Sequence, residues 1–178
     1  LLLNSCEKEK SSGLPVDGDG NEYETVVIGT QTWLQENLKT TSYRNGDPIY
    51  LITDNDKWTT WQIGAYCWYD NNPKYKDIYG GLYNWYAAKT QALCPIGWHV
   101  PTNEEWTILI DYLGGILGKA GDKLKEAGIQ HWGIDNRGTN ESDFTALPGG
   151  HRSFSDGSFE MIRQVAEFWA SDLPYFMG

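Results

Sequence analysis

The stretch Cys94–Trp106, CPIGWHVPTNEEW, predicts an extended segment that runs directly into a helix. Pro101 disfavours the helical conformation for the residue before it, so the chain stays extended up to that point. Thr102 is a favourable helix N-cap, and Glu105 three residues later completes a capping box. Apolar residues then recur at the i, i+3, i+4, i+7 spacing of one buried helix face: Trp106, Leu109, Ile110 and Leu113. The stretch therefore predicts a helix over residues 102–113 that packs against a core.

Around this helix the sequence predicts an α+β domain with short antiparallel strands and many loops. A second, shorter helix is expected over residues 120–127, where Gly128 ends it. Alternating residues around a central Gly-Thr-Gln turn predict a β-hairpin over Tyr23–Leu34. The 178 residues include 20 Gly, 9 Trp and 11 Tyr, which is typical of a loop-rich domain with an aromatic core. We expect four tryptophans to converge inside it: Trp33, Trp85, Trp98 and Trp106.

Other aromatic residues lie beside polar turns and are candidates for ligand binding. Trp68 and Tyr69 end an aromatic segment just before the turn that contains Asp70. Their rings could stack on a sugar. The alternative is that both rings pack in the core, which is the more common role of aromatic side chains. Asp70 and, in a later loop, Trp132 are the other two candidates for ligand binding.

The charge of the chain argues against nucleic acid as a partner. Its 24 acidic and 14 basic residues give a formal net charge of −10. A nucleic-acid backbone requires clustered Lys and Arg side chains that neutralise its phosphates. We therefore expect no binding to nucleic acid.

The N-terminal residues predict where the protein resides. Leu1–Cys6 resembles the end of a bacterial lipoprotein signal peptide, with an apolar run, a small residue and then Cys. A lipid on Cys6 would anchor the protein to a membrane, through several acyl chains because one chain binds only marginally. Residues 7–16 would form a polar tether, and residues 17–178 a single domain. The alternative is a chance apolar run before an ordinary cysteine. We expect an exported protein anchored to the outer membrane or cell surface.

Two cysteines remain beyond the predicted lipidation site, namely Cys67 and Cys94. In an oxidising compartment they could form a disulfide with each other. The alternatives are two buried thiols, or partners outside this sequence. The sequence leaves these alternatives open.

The sequence shows no catalytic constellation and no strong cofactor site. Its three histidines lack metal-ligand spacing: His99, His131 and His151. Asn140, Glu141 and Asp143 could supply oxygen ligands to Ca²⁺, but hard cations usually need more convergent oxygens than this run offers. The alternative is a turn whose side chains cap the backbone. We therefore predict neither catalysis nor a bound cofactor, with calcium as the weaker alternative.

Four motifs, in this order, resemble the Fibrobacter succinogenes major paralogous domain of secreted proteins and lipoproteins in Bacteroidetes-type bacteria. They are GDGN followed by TVVIGTQTWLQENL in Gly18–Leu38, LYNWYA in Leu82–Ala87, CPIGWHVPT in Cys94–Thr102 and FTALPGGHR in Phe144–Arg152. The match extends over nearly everything from Asp17 to Trp169. Members of this family usually continue with further strands, so the resemblance implies a domain truncated at its C-terminus. It implies no particular activity.

A second resemblance concerns the fold more than the function. The Trp98–Trp106 run, the later Gly-Gly-His-Arg and the Phe-Trp pair near the C-terminus are similar to the formylglycine-generating type of C-type lectin fold. Those enzymes use cysteines in their C-terminal part, and no cysteine follows Cys94 in this chain. This difference argues against transfer of their activity.

These observations favour a surface-exposed, non-catalytic module that binds a glycan or a protein. The expected lipid anchor, the acidic composition and the surplus of Trp and Tyr on a loop-rich scaffold motivate this prediction. The alternative is a structural or assembly component of the cell envelope. An enzyme of the formylglycine-generating type is the least favoured hypothesis.

Overall fold

The computed structural model describes residues 13–172 and, as backbone only, the strand residues Glu7–Lys8 and Phe176–Met177. The predicted lipidation site, Cys6, lies outside the described residues, and so do residues 9–12 of the predicted tether. That the tether links an anchor to the domain stays a prediction.

Within this part of the chain the secondary structure consists of short elements. The strands are β1 (Glu7–Lys8), β2 (Thr25–Ile28), β3 (Gln31–Leu34), β4 (Tyr50–Leu51), β5 (Ala65–Cys67), β6 (Leu82–Tyr83), β7 (Trp98–His99), β8 (His151–Arg152), β9 (Phe159–Glu160), β10 (Phe168–Trp169) and β11 (Phe176–Met177). The helices are α1 (Asn55–Thr60), α2 (Lys76–Tyr79), α3 (Trp85–Ala88), α4 (Asn103–Tyr112) and α5 (Ala120–Leu124). Two 3₁₀ turns, Tyr69–Asn71 and Pro73–Tyr75, precede α2.

The strands form four small sheets and not one continuous layer. The largest has the order β2-β3-β1-β7, and a second has the order β4-β5-β6. Two further pairs, β8-β9 and β10-β11, are antiparallel. This mixture of helices and small sheets confirms the predicted α+β class. The prediction of antiparallel strands is wrong for one pair, since β4 and β5 run parallel. Among the described residues, no helix has both the length and the apolar character needed to cross a bilayer.

Helix α4 confirms the prediction made from its capping residues. The side chain of Thr102 accepts a hydrogen bond from the backbone N–H of Glu105, at 3.2 Å. In return, the Glu105 carboxylate accepts one from the backbone N–H of Thr102, at 2.7 Å. Trp106 and Leu109 are buried on the predicted face. The two cap bonds satisfy N–H groups that the first helical turn cannot satisfy by itself.

Helix α5 is shorter than predicted because a tertiary contact ends it. The predicted helix ran to residue 127, whereas α5 ends at Leu124 and Lys125 is extended. Lys125 forms a parallel bridge with Ala146, and the Ala146 N–H donates to the Leu124 carbonyl at 2.8 Å. Hydrogen bonds to a neighbouring segment thus replace those of the last predicted turn.

The predicted β-hairpin is confirmed, with its strands shorter than the predicted range. Strands β2 and β3 pair antiparallel, with Thr25 opposite Leu34 and Ile28 opposite Gln31. Gly29, with φ of +63°, lies in the connecting turn, where a left-handed backbone suits glycine. The hairpin places Trp33 on the inner face of the sheet, where it is buried.

The tryptophans converge inside the molecule as predicted. Trp33, Trp98 and Trp106 are almost fully buried, and Trp85 is partly buried against the core. The Trp33 and Trp106 rings lie 4.9 Å apart between centroids. Two buried clusters share the core, one around Trp98 and Tyr83 and the other around Trp33 and Trp106. Burial of aromatic side chains thus contributes much of the packing that long helices and strands provide in other folds.

Candidate functional site

The structure favours core packing for the aromatic residues considered as sugar-binding candidates. Only 7 % of Trp68 and 6 % of Tyr69 remain exposed. Trp68 contacts Tyr66 in one core cluster, and Tyr69 contacts Phe159 in the other. Adjacent side chains of an extended chain point to opposite sides, which explains why these two neighbours separate. Neither ring presents an open face for stacking.

The other two candidates, Asp70 and Trp132, do not share a binding surface with these rings. Asp70 is exposed in a 3₁₀ turn, where its backbone has a left-handed φ of +52°. Trp132 is 3 % exposed, and its indole N–H donates to the Ala146 carbonyl at 3.0 Å. The Lys125 ammonium lies 4.7 Å from the centroid of the Trp132 ring. Trp132 therefore forms part of the wall of a groove next to α5.

The three calcium candidates belong to a tightly folded turn. The Asn140 amide oxygen accepts the Thr145 N–H at 2.8 Å, and its amide nitrogen donates to the Thr145 hydroxyl at 3.0 Å. Asn140 and Asp143 have left-handed φ values of +54° and +56°. Glu141 is exposed. These contacts agree with the alternative in which the side chains cap a turn. In the part of the chain that the structure describes, no three metal-ligating side chains come together.

Each histidine contacts a glutamate. His99 Nε2 lies 3.0 Å from Glu105 Oε1, and His131 Nδ1 lies 2.8 Å from Glu126 Oε1. Burial opposes ionisation of Glu105, but the Thr102 N–H and the His99 imidazole outweigh it and lower the pKa of Glu105. The His99 contact is therefore part of the α4 cap.

His151 lies near two glutamates. Its Nδ1 lies 3.3 Å from Glu167 Oε2, and its Nε2 lies 3.7 Å from Glu160 Oε2. The contacts connect β8 to β9 and to the segment that leads into β10. The His151 imidazole therefore lies between two carboxylates.

The two cysteines do not pair with each other. Cys67 carries a free, buried thiol, whereas Cys94 is disulfide-bonded. The alternative of a Cys67–Cys94 disulfide is thus wrong, because Cys67 lies in the core cluster around Trp33 and Cys94 in the cluster around Trp98. Burial raises the pKa of the Cys67 thiol to about 11, although the nearby Arg152 guanidinium acts in the opposite direction. The thiol is therefore protonated at neutral pH.

A shallow groove that sequence reasoning missed combines aromatic rings with amide side chains. It has a volume of about 360 Å³. The lining side chains that matter for binding are Tyr43, Asn45, Gln62, Tyr86, Lys89 and Thr90. We call it the aromatic–amide groove. None of its lining residues is acidic.

One wall of the groove is set by a tight turn. The Tyr43 N–H donates to the Asp47 carbonyl at 2.8 Å, and the Asn45 amide donates to the Asp47 carboxylate at 2.8 Å. The Tyr43 ring then lies against Gly64, where a Cβ atom would come within 1.8 Å of the phenol oxygen. Glycine at position 64 is therefore required for this placement of Tyr43.

The opposite wall is held by Asn84, the N-cap of α3. Its amide oxygen accepts the N–H groups of Ala65, at 2.9 Å, and Ala87, at 3.0 Å. Its amide nitrogen donates to the Ile63 carbonyl at 2.8 Å. One side chain thus fixes the start of β5, which follows Gln62, relative to the helix that carries Tyr86. These hydrogen bonds lie within the protein, so the groove is preformed.

The groove presents the chemical groups that bind hydroxyl-rich molecules. Tyr43 and Tyr86 are half-buried, with the Lys89 ammonium 4.6 Å from the centroid of the Tyr86 ring. The exposed amide of Gln62 offers both donors and an acceptor, and the Asn45 amide, which bonds Asp47 through its nitrogen and its oxygen, offers its second N–H. Burial raises the pKa of Tyr43, so its phenol remains a neutral hydrogen-bond donor at neutral pH. The arrangement is suited to binding a polar ring that has an apolar face.

The sequence did contain signals for this groove, although they were separated along the chain. Asn45-Gly46-Asp47-Pro48 is a strong turn signal, and Leu82, Trp85 and Tyr86 have helical spacing. What no local pattern indicated was that the two would face each other across Gly64. That contact depends on Gly64, and no pattern in the sequence shows that Tyr43 packs against it.

The family comparison agrees with the resemblance seen in the motifs. The model of the Fibrobacter succinogenes major domain family matches residues 26–173. No curated protein and no solved structure matches the chain.

Proposed function

We propose that this chain, which belongs to the Fibrobacter succinogenes major domain family, is a non-catalytic module that binds carbohydrate in the aromatic–amide groove. The observation that carries the proposal is the combination of two half-buried tyrosines with exposed amides in one preformed groove. Sugar rings have an apolar face and a rim of hydroxyls. Tyr43 and Tyr86 would contact the face, and Asn45 and Gln62 would bind the hydroxyls.

The dimensions and charge of the groove support a short segment of a neutral glycan. A volume of about 360 Å³ lies at the lower end of ordinary ligand sites, which begin at roughly 300 Å³. Lys89 is the only charged side chain among the lining residues. A neutral ligand also avoids repulsion from a chain with a formal charge of −10. These properties favour a neutral sugar over a polyanion.

Support for a binding role over catalysis comes from the chemistry of the groove and of Cys67. Glycoside hydrolysis normally uses a pair of carboxyl groups, and the groove lining holds none. The Cys67 thiol is buried and has a pKa of about 11, which opposes thiol chemistry of the formylglycine-generating type at this residue. The proposal therefore includes no catalytic residue, metal or cofactor.

The proposed setting is the outer membrane or cell surface. A loop-rich domain on a tether would then present the aromatic–amide groove to polysaccharides outside the cell. We also keep a C-type lectin-like arrangement as a proposal for the fold. The Gly-Gly-His-Arg and Phe-Trp motifs support it, since His151–Arg152 form β8 and Phe168–Trp169 form β10.

A protein ligand or an assembly role in the envelope is the second candidate. The observation that favours it is the edge strand β2, in which Val27 is exposed, together with the exposed Tyr112 of α4. Gly29 lies close to the Tyr112 ring, so these residues belong to one region of the surface. Recovery of a stoichiometric partner from detergent-solubilised membranes would support this second role.

Glycan binding is tested by screening the full chain on an array of polysaccharides and measuring the best ligand by isothermal titration calorimetry. We expect Tyr43→Ala and Tyr86→Ala each to weaken binding by about tenfold or more, because each removes a central aromatic contact. Tyr112→Ala is the matched control, since it removes an exposed tyrosine from α4. We expect it to leave the affinity unchanged. Absence of any glycan ligand, or equal losses in all three variants, would contradict the proposal.

A further inference from the structure

The loop between α4 and α5 exposes two neighbouring aliphatic side chains almost completely. Ile116 is 86 % exposed and Leu117 is 100 % exposed. They lie within the segment GGILG, residues 114–118, which we call the apolar tip. Single exposed aliphatic residues are common on protein surfaces, whereas neighbouring ones form a patch of the kind that marks a binding surface. The apolar tip does not line the aromatic–amide groove, so the proposed glycan binding does not use it.

Two further exposed side chains extend the patch along α4. Ile108 and Tyr112 are both exposed, and residues four apart are neighbours on the surface of a helix. The Tyr112 ring lies against Gly29, which holds it beside the end of the helix. Tyrosine combines an apolar ring with a polar hydroxyl and is enriched where lipid meets water. The patch thus consists of an aliphatic tip followed by an amphipathic ring.

The apolar tip is a specifically shaped turn. Gly114 and Gly115 have left-handed φ values of +100° and +73°. A Cβ atom at Gly118 would overlap the Gly114 carbonyl, so this close approach requires glycine. Three glycines therefore set the path of the backbone that projects the two aliphatic side chains away from the protein.

Several backbone N–H groups of this turn are satisfied within it. The Gly115 N–H donates to the Ile110 carbonyl at 2.8 Å, and the Ala120 N–H donates to the Gly115 carbonyl at 3.2 Å. The Lys119 N–H donates to the Ile116 carbonyl at 3.1 Å. An N–H group without a partner is costly where water is scarce. These bonds therefore lower the cost of moving the apolar tip out of water.

The charges next to the apolar tip balance each other. Residues 108–119 contain one acidic side chain, Asp111, and one basic side chain, Lys119, and both are exposed. The next pair along α5, Asp122 and Lys123, also balances, and the Lys123 ammonium donates to the Leu113 carbonyl at 3.0 Å. A balanced surface matches a zwitterionic head group, which carries one phosphate and one ammonium. The formal charge of −10 on the whole chain opposes an anionic surface.

The exposure of the tip favours a fluid lipid surface over a protein partner. Because Leu117 is wholly exposed, no protein contact fixes its rotamer. A protein partner would have to provide a matching pocket and immobilise these side chains, at a cost in conformational entropy. Acyl chains adapt to any rotamer and leave this freedom largely intact.

We propose that the apolar tip inserts Ile116 and Leu117 into the surface of a zwitterionic phospholipid bilayer. Removal of the two aliphatic side chains from water would drive a weak, reversible contact. Tyr112 would lie at the boundary between the head groups and water. The site is separate from the aromatic–amide groove, and neither proposal depends on the other.

The contact is tested by co-sedimentation of the full chain with phosphatidylcholine vesicles. The chain is produced without export, so that no lipid modification contributes to binding. We expect binding that increases with lipid concentration. The double variant Ile116→Ser and Leu117→Ser should bind about tenfold more weakly or less, because each buried methylene changes the partition by roughly three- to fourfold. Absence of binding by the unmodified chain would overturn the proposal.

A matched double variant separates this tip from surface hydrophobicity in general. Ile96→Ser and Ile134→Ser also replace two exposed aliphatic residues, which lie in other loops. We expect this control to bind vesicles as the unmodified chain does. Thermal unfolding should be unchanged in both double variants, since all four side chains are exposed. Equal losses of binding in the two double variants would overturn the assignment to the apolar tip.

A gain-of-function variant measures insertion directly. Leu117→Trp should strengthen vesicle binding, because tryptophan favours the membrane interface, and its added fluorescence should be quenched by phosphatidylcholine brominated on its acyl chains. Ile134→Trp is the control and should show neither effect. Vesicle-bound Leu117→Trp protein without this additional quenching would show that the tip does not insert.

Electrostatic binding and self-association are the competing outcomes. Binding to phosphatidylglycerol vesicles alone, retained by the Ile116→Ser and Leu117→Ser variant, would assign membrane binding to charge and overturn the proposal. Sedimentation velocity tests self-association. A dimer that the same variant abolishes would assign the apolar tip to a second copy of the chain and also overturn the proposal. A monomer that binds phosphatidylcholine through this tip would support it.

Discussion

At the scale of single residues, Arg152 shows how a buried cation is held by the backbone. Its guanidinium donates to the carbonyls of Gly157, Ile52 and Thr53 and to the Asn55 amide oxygen, at 2.5 to 3.1 Å. The Trp58 and Phe159 rings flank it, with centroids 4.6 and 4.7 Å from the guanidinium carbon. The sequence placed this residue in a recognisable motif. It could not predict the acceptors, because three of the four lie about 100 residues earlier in the chain.

Replacement of Arg152 tests this account of its role. We expect Arg152→Lys to lower the free energy of unfolding by about 3 kcal/mol, because Lys lacks the planar fork that reaches several acceptors at once. Urea denaturation measures the change. Arg137→Lys is the control, since Arg137 is exposed, and should change the stability by less than about 0.5 kcal/mol. A similarly small change at Arg152 would show that its contacts contribute little.

The Cys67 thiol predicts a pH dependence of stability. Burial raises its pKa from the ordinary 9.0 to about 11, so the folded state holds this proton more tightly than the unfolded state. The resulting stabilisation is complete below about pH 9 and is lost as the pH rises from 9 towards 11; it amounts to roughly 2–3 kcal/mol. In Cys67→Ala the free energy of unfolding should therefore decline less steeply over pH 9–11. Identical slopes in the two proteins would contradict the buried-thiol explanation.

At the scale of elements, local signals predicted where structure begins better than where it ends. The start of α4 followed from Thr102 and Glu105, whose side chains satisfy the first backbone N–H groups. The end of α5 did not follow from Gly128, because pairing between Lys125 and Ala146 ends the helix first. A cap is a contact within a few residues and can be read locally. A bridge across 21 positions of the chain cannot.

The capping box of α4 provides a prediction at this scale. Thr102→Ala removes a side-chain acceptor for the Glu105 N–H and should lower the free energy of unfolding by about 1 kcal/mol. Glu104→Gln, in the same helical turn but exposed, loses only a favourable contact with the helix dipole and should cost less than about 0.5 kcal/mol. Chemical denaturation of both variants measures the difference. If Glu104→Gln proves the more destabilising, the cap is not what fixes the start of α4.

At the scale of the whole molecule, aromatic packing predicted the core but not the surface depressions. The Trp33–Trp106 contact follows from two patterns that each place a tryptophan on an inner face. The aromatic–amide groove instead combines residues from three separated segments, 43–45, 62–64 and 86–92. Its formation depends on Gly64, which admits the Tyr43 phenol, and on the three hydrogen bonds of Asn84. Such tertiary contacts leave no periodic signal in a sequence.

The same scale explains why the first candidates for sugar contact proved to be core residues. Trp68, Tyr69 and Trp132 stand beside polar turns in the sequence, and this position made them look accessible. In the folded chain each ring is buried by neighbours from distant segments. The half-buried rings Tyr43 and Tyr86 are the ones that line a groove with exposed amides. Proximity to a turn is therefore a poor guide to exposure in a domain this rich in aromatic residues.

The most direct test of the central claim is a heteronuclear NMR titration of the full chain with the glycan that binds best on the array. We expect saturable shifts of the backbone amides of Tyr43, Gln62 and Tyr86, because the ring contacts and amide hydrogen bonds of the aromatic–amide groove lie next to them. The amides of Trp132 and Ala166, which do not line this groove, should remain unchanged. Shifts confined to residues outside the aromatic–amide groove, such as the β2 edge, or no shifts with any glycan, would contradict the account.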